Sequence, residues 1–335
     1  MAPRDGEKGK TPSMQRVMPD SGSPDAERRL QPRFRKASFF NYLTLFLLVL
    51  AGDCWIGSIP NRADMPDSLA AVRFIPAHFS PERFRPVGLA GVWKVEVDDP
   101  RFGGVSALAI EHGQLLALSD SGTVIMFPKP RESGKAFVHD LPVGPGDPGF
   151  KRNRDSEALA RDPAGRGWWV AFERWNQLWL YDWDFRQARM RVEFGRHRWR
   201  QNKGIEAMVA EEGKLALFPE TGREWLELGP GQARAGRLAN RFGYVTDAVR
   251  ASEGRLLLVT RQPGFNGLAK RLVVAGQAGN GALALRQLAG LGLGATDNIE
   301  AMAAEPRPGG TRLWLMTDND FRARAPTYLV ALDLP

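Results

Sequence analysis

Cysteine occurs once, at Cys54, which excludes an internal disulfide and a cysteine-built zinc site. Histidine is scarce as well. His78, His112, His139 and His197 show neither HxxxH nor HxH spacing, so no histidine-based metal motif is present. No GxSxG elbow frames a serine, which disfavours nucleophilic catalysis of the α/β-hydrolase kind. No amphipathic helical pattern recurs between the strand-like runs, which disfavours a TIM barrel. Concentrated positive charge is missing too. The net charge is +8, but residues 1–36 hold nine Lys/Arg against five Asp/Glu, so half the excess lies in a tail. That is a poor electrostatic footprint for nucleic acid, and no nucleic-acid partner is expected.

What is present suits one large all-β domain. The 335 residues are 43% hydrophobic, with 36 Gly and 24 Pro to serve many turns and 10 Trp in strand-like runs. Residues 1–36 are rich in Pro, Gly, Ser and charge and read as a disordered basic tail. Arg28, Arg29, Arg33, Arg35 and Lys36 then precede the apolar run Phe39–Ala51, a basic flank before an apolar core as in an export signal. From Phe39 to Ile59 only Asp53 is charged. Residues 37–59 therefore read as a signal peptide or, if uncleaved, as an anchor in the inner membrane. Residues 60–87 form a linker. The domain at 88–335 is expected in the periplasm, soluble after cleavage or held at the membrane.

That domain repeats itself. Five segments share a small apolar strand with an acid or hydroxyl at a fixed place: Gly104–Leu108, Asp155–Leu159, Gly204–Met208, Val245–Val249 and Asn298–Met302. Their polar residues Ser106, Glu157, Glu206, Asp247 and Glu300 stand 51, 49, 41 and 53 residues apart, the period of propeller blades. Each motif leads into a second apolar strand ending at Asp120, Glu173, Glu220, Arg261 or Asp318. The pattern predicts an all-β propeller of five blades, with residues 265–295 open to reading as a degenerate sixth. The orphan strand Gly91–Val97 and the last strand Thr327–Leu334 are expected to pair and close the ring.

If the motif strands are innermost, period-2 geometry sets the five polar residues around one channel, with the second-strand ends near its loops. Glu157, Glu206 and Glu300 are the catalytic candidates. Asp120, Glu157, Glu206, Asp247, Glu300 and Asp318 are the candidate ligands of a hard cation such as Ca2+, since crowded carboxylates must be neutralised. Arg154, Lys203 and Arg261 are the candidate anion-binding residues. A mixed acid–base channel suits an anionic small molecule. The same polar residues could instead cap strands in a non-catalytic propeller that binds a ligand or an envelope component. No organic cofactor is called for.

At these motifs the sequence resembles the bacterial phytase-like family, "esterase-like activity of phytase". The resemblance rests on Gly103–Leu108, Asp155–Leu159, Asn202–Met208, and Asn298–Met302 with Thr317–Phe321, in that order. Here Ala follows each motif Glu where the family often has Gly, and Asp320 replaces an Asn. The resemblance implies a propeller, and hydrolysis of phosphoric or carboxylic esters by calcium-assisted attack of water instead of a protein nucleophile.

Overall fold

The computed structural model describes residues 13–16 and 65–334, apart from 196–198, 200–202, 266, 279–280, 295–296 and 323–324. The apolar segment 37–59, residues 60–64, most of the basic tail and Asn202 of the third motif lie outside the described residues. Among the described residues no helix is long and apolar enough to cross a membrane.

Each of the five motif strands opens an antiparallel four-strand meander. The first unit is Val105–Glu111, Gln114–Ser119, Thr123–Phe127 and Lys135–Asp140. The second is Ser156–Arg161, Trp168–Phe172, Gln177–Tyr181 and Ala188–Glu193, and the third is Ile205–Glu211, Lys214–Pro219, Glu224–Gly229 and Gln232–Arg237. The fourth is Tyr244–Arg250, Leu256–Gly264, Gly267–Gln277 and Leu283–Gly290. Residues 267–290 are thus its outer half and belong to no separate unit. The fifth consists of Asn298–Arg307, Gly310–Asp318 and Thr327–Leu334, completed by Gly88–Val97 from the start of the domain. Leu329 lies opposite Trp93 and Val330 opposite Val92, the closure that the orphan strand predicts.

The five motif strands touch one another in cyclic order around an axis, which makes the fold a propeller. Alternation along each second strand explains the packing. Leu256 and Leu258 face the third unit, while Leu257 and Val259 face the fifth. Five apolar clusters result, one at each interface between successive units. These strands are buried on both faces, hence their unbroken apolar runs.

Two outer edges are covered by one strap. Ser68–Pro76 pairs through Ser68–Ala71 with the outer strand of the first unit, and through Val72–Pro76 with Gly88–Val97 of the fifth. Its root is held by Arg101, whose side chain is fully buried. That guanidinium donates to Asp99 (2.8 and 3.0 Å) and to the Pro66 carbonyl (3.1 Å). The basic tail also differs from its reading as wholly disordered. Ser13–Arg16 pairs as a fifth strand on the outer edge of the second unit, opposite Met190–Glu193.

Candidate functional site

Every motif strand carries a β-bulge at its start. The ladder skips Ser106, Glu157, Glu206, Thr246 and Glu300, each left without a direct partner on the second strand. A bulge turns the extra side chain out of the ladder, and here it aims three glutamates at the axis. In two units the bulge position is a hydroxyl that ties neighbouring units together. Ser106 Oγ donates to the Ser156 carbonyl (2.6 Å) and Thr246 Oγ1 to the Ile299 carbonyl (2.9 Å).

The bulge corrects the expected register in the fourth unit, where the equivalent residue is Thr246 and not Asp247. Asp247 stands one place further on, level with Ala107, Ala158, Ala207 and Ala301. Its carboxylate accepts the amides of Ala248 (2.7 Å) and Met302 (2.5 Å), stapling the fourth unit to the fifth below the mouth. Arg154 is also displaced from its expected place. It is buried away from the carboxylates, and its guanidinium donates to the Pro145 carbonyl (2.6 Å), supporting the loop between the first and second units.

The ends of the second strands converge, because Asp120, Glu173, Glu220, Arg261 and Asp318 each follow the residue paired to the position just before the bulge. Glycine before the motif makes this approach possible. A Cβ on Gly104 would lie 2.3 Å from Asp120 Oδ1, and one on Gly204 would lie 2.8 Å from Glu173 Cα.

Among the described residues, the resulting mouth gathers eight carboxylates (Asp120, Asp155, Glu157, Glu173, Glu206, Glu220, Glu300, Asp318), with Asp320 at its edge, and the four bases Lys151, Arg174, Lys203 and Arg261. Half of it is compensated. Arg261 bridges Glu220 (3.2 Å) and Glu300 across the fourth unit, and Asn298 also donates to Glu300 (2.5 Å). Lys151 sits between Asp120 (2.6 Å) and Asp155 (3.5 Å). Asp318 accepts the Asp320 amide (2.8 Å). Next to it Asn319 Oδ1 takes the amides of Gly104 and Phe321 (both 3.1 Å), so this stretch clasps the ring closure.

The other half is compensated only at its two ends, where Arg174 contacts Asp155 at 3.0 Å and Lys203 contacts Glu220 at 2.9 Å. Oxygen atoms of Asp155, Glu157 and Glu173 lie within 4.8 Å of one another, as do those of Glu173, Glu206 and Glu220. Glu206 is only 7% exposed, and among the described residues none donates a hydrogen bond or ion pair to its carboxylate. Burial pushes Glu206 well above its ordinary value, and Glu173, Glu220 and Glu300 add to the effect. Glu157 rises for the same reason, with Glu206 as its first like-charged neighbour. Burial, Asp155 and Glu220 together lift Glu173 to about 7. Asp120 is pushed up by burial to about 6 although Lys151 opposes it. Glu206 in one all-oxygen triad, joined through Glu173 to a second, fits a hard divalent cation.

Of the expected cation ligands, only Glu157 and Glu206 belong to these triads. Asp120, Glu300 and Asp318 surround them, and Asp247 is elsewhere. Asp155, Glu173 and Glu220 complete the triads. Their sequence signal is an acid two places before the motif Glu, or at the end of a second strand.

The model of one protein family matches residues 100–321, described as phytase-like, with esterase-like activity of phytase. The chain belongs to the phytase-like family. No curated protein sequence matches it. Among solved structures, this phytase-like chain is similar to Myxococcus xanthus glutaminyl cyclase, with 11% identity over 79% of this chain and 99% of that one, at a TM-score of 0.47. A catalytically inactive virginiamycin B lyase from Staphylococcus aureus with quinupristin matches at 8% identity, over 79% and 100% of the two chains, at a TM-score of 0.42. Both scores are below 0.5, and nothing about the chemistry of this mouth follows from them.

Proposed function

We propose that this phytase-like chain is a five-bladed, exported hydrolase of phosphoric or carboxylic esters, working at the carboxylate mouth with a divalent cation, Ca2+ in the first instance. The observation that carries the reading is Glu206, a buried carboxylate with no partner, set in a triad with Glu173 and Glu220. Asp155, Glu157, Glu173, Glu206 and Glu220 would hold the cation, with one triad on each side of Glu173. When bound there, the ion supplies Lewis acidity toward a phosphoryl or acyl oxygen. The chain's own side chains contribute the rest. Arg261 and Lys151 fix the flanking carboxylates, and Asp120, which lies outside the triads and which burial lifts to about 6, can exchange protons near neutral pH. The absence of a GxSxG serine agrees with water as the nucleophile. The basic flank and apolar run at 28–51 support export to the periplasm, with cleavage or anchoring through residues 37–59.

The test is release of phosphate or carboxylate from a panel of generic phosphate and carboxylic esters, using chelator-treated protein with and without added calcium. Calcium-dependent turnover that falls at least a hundredfold in Glu206→Gln and Glu157→Gln supports the reading. No turnover across the panel, with unaltered calcium binding in both variants, sinks it.

One observation favours a second reading, in which the propeller binds an anionic ligand or an envelope component without chemistry. Among the described residues, all four bases of the mouth already contact carboxylates, so none of these four stands ready to assist a leaving group. Calcium-dependent ligand binding without turnover would favour it.

A further inference from the structure

Each carboxylate triad has one member that basic side chains already hold. In Asp155–Glu157–Glu173 it is Asp155, which Arg174 contacts at 3.0 Å and Lys151 at 3.5 Å. In Glu173–Glu206–Glu220 it is Glu220, which Lys203 contacts at 2.9 Å and Arg261 at 3.2 Å. Among the described residues, no ion pair holds Glu157, Glu173 or Glu206. The bases in each pair differ. Lys151 keeps a second partner in Asp120, and Arg261 keeps Glu300. Arg174 and Lys203 have no second carboxylate, and they are the more exposed of the four, at 40% and 37% of their side chains. Lys203 also lies 4.6 Å from the centre of the Tyr244 ring, which gives its ammonium a resting place beside the mouth.

We infer that Arg174 and Lys203 form an oxyanion clamp that cation binding releases, so that cation and anion bind cooperatively at this mouth. The inference rests on the cation-site reading above. A divalent ion drawn into either triad competes with these two bases for Asp155 and Glu220, because the carboxylate charge that holds them is then shared with the ion. Arg174 and Lys203 can swing toward solvent while Lys151 and Arg261 stay anchored. Their free donors suit a phosphoryl or carboxyl group, and Arg174 can engage one bidentately. Before the ion enters, Asp155 and Glu220 occupy Arg174 and Lys203, so such an anion meets carboxyl groups in place of these two donors. By linkage, an anion seated on the clamp must tighten the cation by the same factor.

Calorimetric titration of the full chain tests this, with calcium as one probe and phenylphosphonate, a non-hydrolysable anion, as the other. Calcium should bind at least about fivefold tighter when phenylphosphonate is saturating, within the usual range for coupled sites. Phenylphosphonate should show no measurable binding in chelator. The double variant Arg174→Gln with Lys203→Gln should still bind calcium, while the coupling falls below about twofold. Equal phenylphosphonate affinity with and without calcium overturns the clamp, and so does full coupling in the double variant. Calcium binding without coupling defeats this inference alone. Failure of the wild-type chain to bind calcium defeats the underlying cation-site reading with it.

Discussion

Glu206→Gln should stabilise the cation-free protein at about pH 7.5, against the usual effect of altering a buried residue. The wild-type carboxyl is buried beside Glu173, Glu220 and Glu300, which raises it well above its ordinary 4.5. Holding that proton as pH climbs past the ordinary 4.5 costs folding about 1.4 kcal/mol for each pH unit until the folded value is reached. The direction follows from a folded value that is raised. The penalty is absent below the unfolded value, grows as pH climbs past it, and levels off above the folded value. Glutamine has no proton to hold, but its buried amide needs partners that the pocket does not supply, at about 1–3 kcal/mol. The variant should therefore be less stable by about 1–2 kcal/mol near pH 5 and gain on the wild type by about 1.4 kcal/mol per pH unit above that, for as long as the wild-type carboxyl keeps its proton. Calcium should reverse the order at the higher pH, since a ligand at a hundred times its Kd adds about 2.7 kcal/mol to the form that binds it. Urea unfolding followed by tryptophan fluorescence, at both pH values and in chelator or calcium, reads all four cases. A variant less stable by the same amount in all four would refute the reasoning and leave Glu206 an ordinary structural side chain.

Three further outcomes separate structural from functional residues. Asp99→Asn should cost up to about 3–5 kcal/mol by leaving the buried Arg101 guanidinium with only its 3.6 Å ion pair to Asp140; in the wild type, burial alone would raise Asp99, yet hydrogen bonds from Arg101 and Ser68 hold it at about 2. Its contribution should thus be present above the ordinary 3.8 and be lost as pH falls through about 2, which an acid titration of tryptophan fluorescence checks. Asp247→Ala should cost about 1–3 kcal/mol by freeing the amides of Ala248 and Met302, while calorimetry finds calcium affinity within about twofold of wild type. Gly104→Ala should lower the melting temperature by several degrees, as its φ of +57° and the nearness of Asp120 and Phe321 leave no room for a methyl.

Much of the frame was legible in the sequence because its signals are local and repeated. Five acid- or hydroxyl-bearing strands, each leading to a second apolar strand, imply units packed on both faces, and the orphan strand before the first unit implies closure with the last. The register of the fourth unit was not legible. Thr246-Asp247-Ala248 matches the acid–alanine pattern when aligned on Asp247, and only the bulge shows that Thr246 holds the ring position. Arg154 was misread for a related reason. Lying three residues before a motif Glu says nothing of the short helical turn at Lys151–Asn153, which sends Lys151 to the mouth and Arg154 beneath the loop. Proximity of Asp155, Glu173 and Glu220 depends on glycine-permitted contacts between units, which no single-strand pattern encodes.

The joint between Gly88–Val97 and Thr327–Leu334, with the Ser68–Pro76 strap across it, has a kinetic consequence. The early strand emerges first during synthesis and must wait, apolar and without its final partner, until Thr327–Leu334 has been made. Contacts between such distant segments are slow to form and leave sticky intermediates in the meantime. The strap pairs with Lys135–Asp140, which follows soon after it, and so can park the early strand on the first unit before its final partner exists. Loss of the last eight residues would strand that intermediate at its most aggregation-prone stage, whereas loss of the strap would slow closure without removing the closed form.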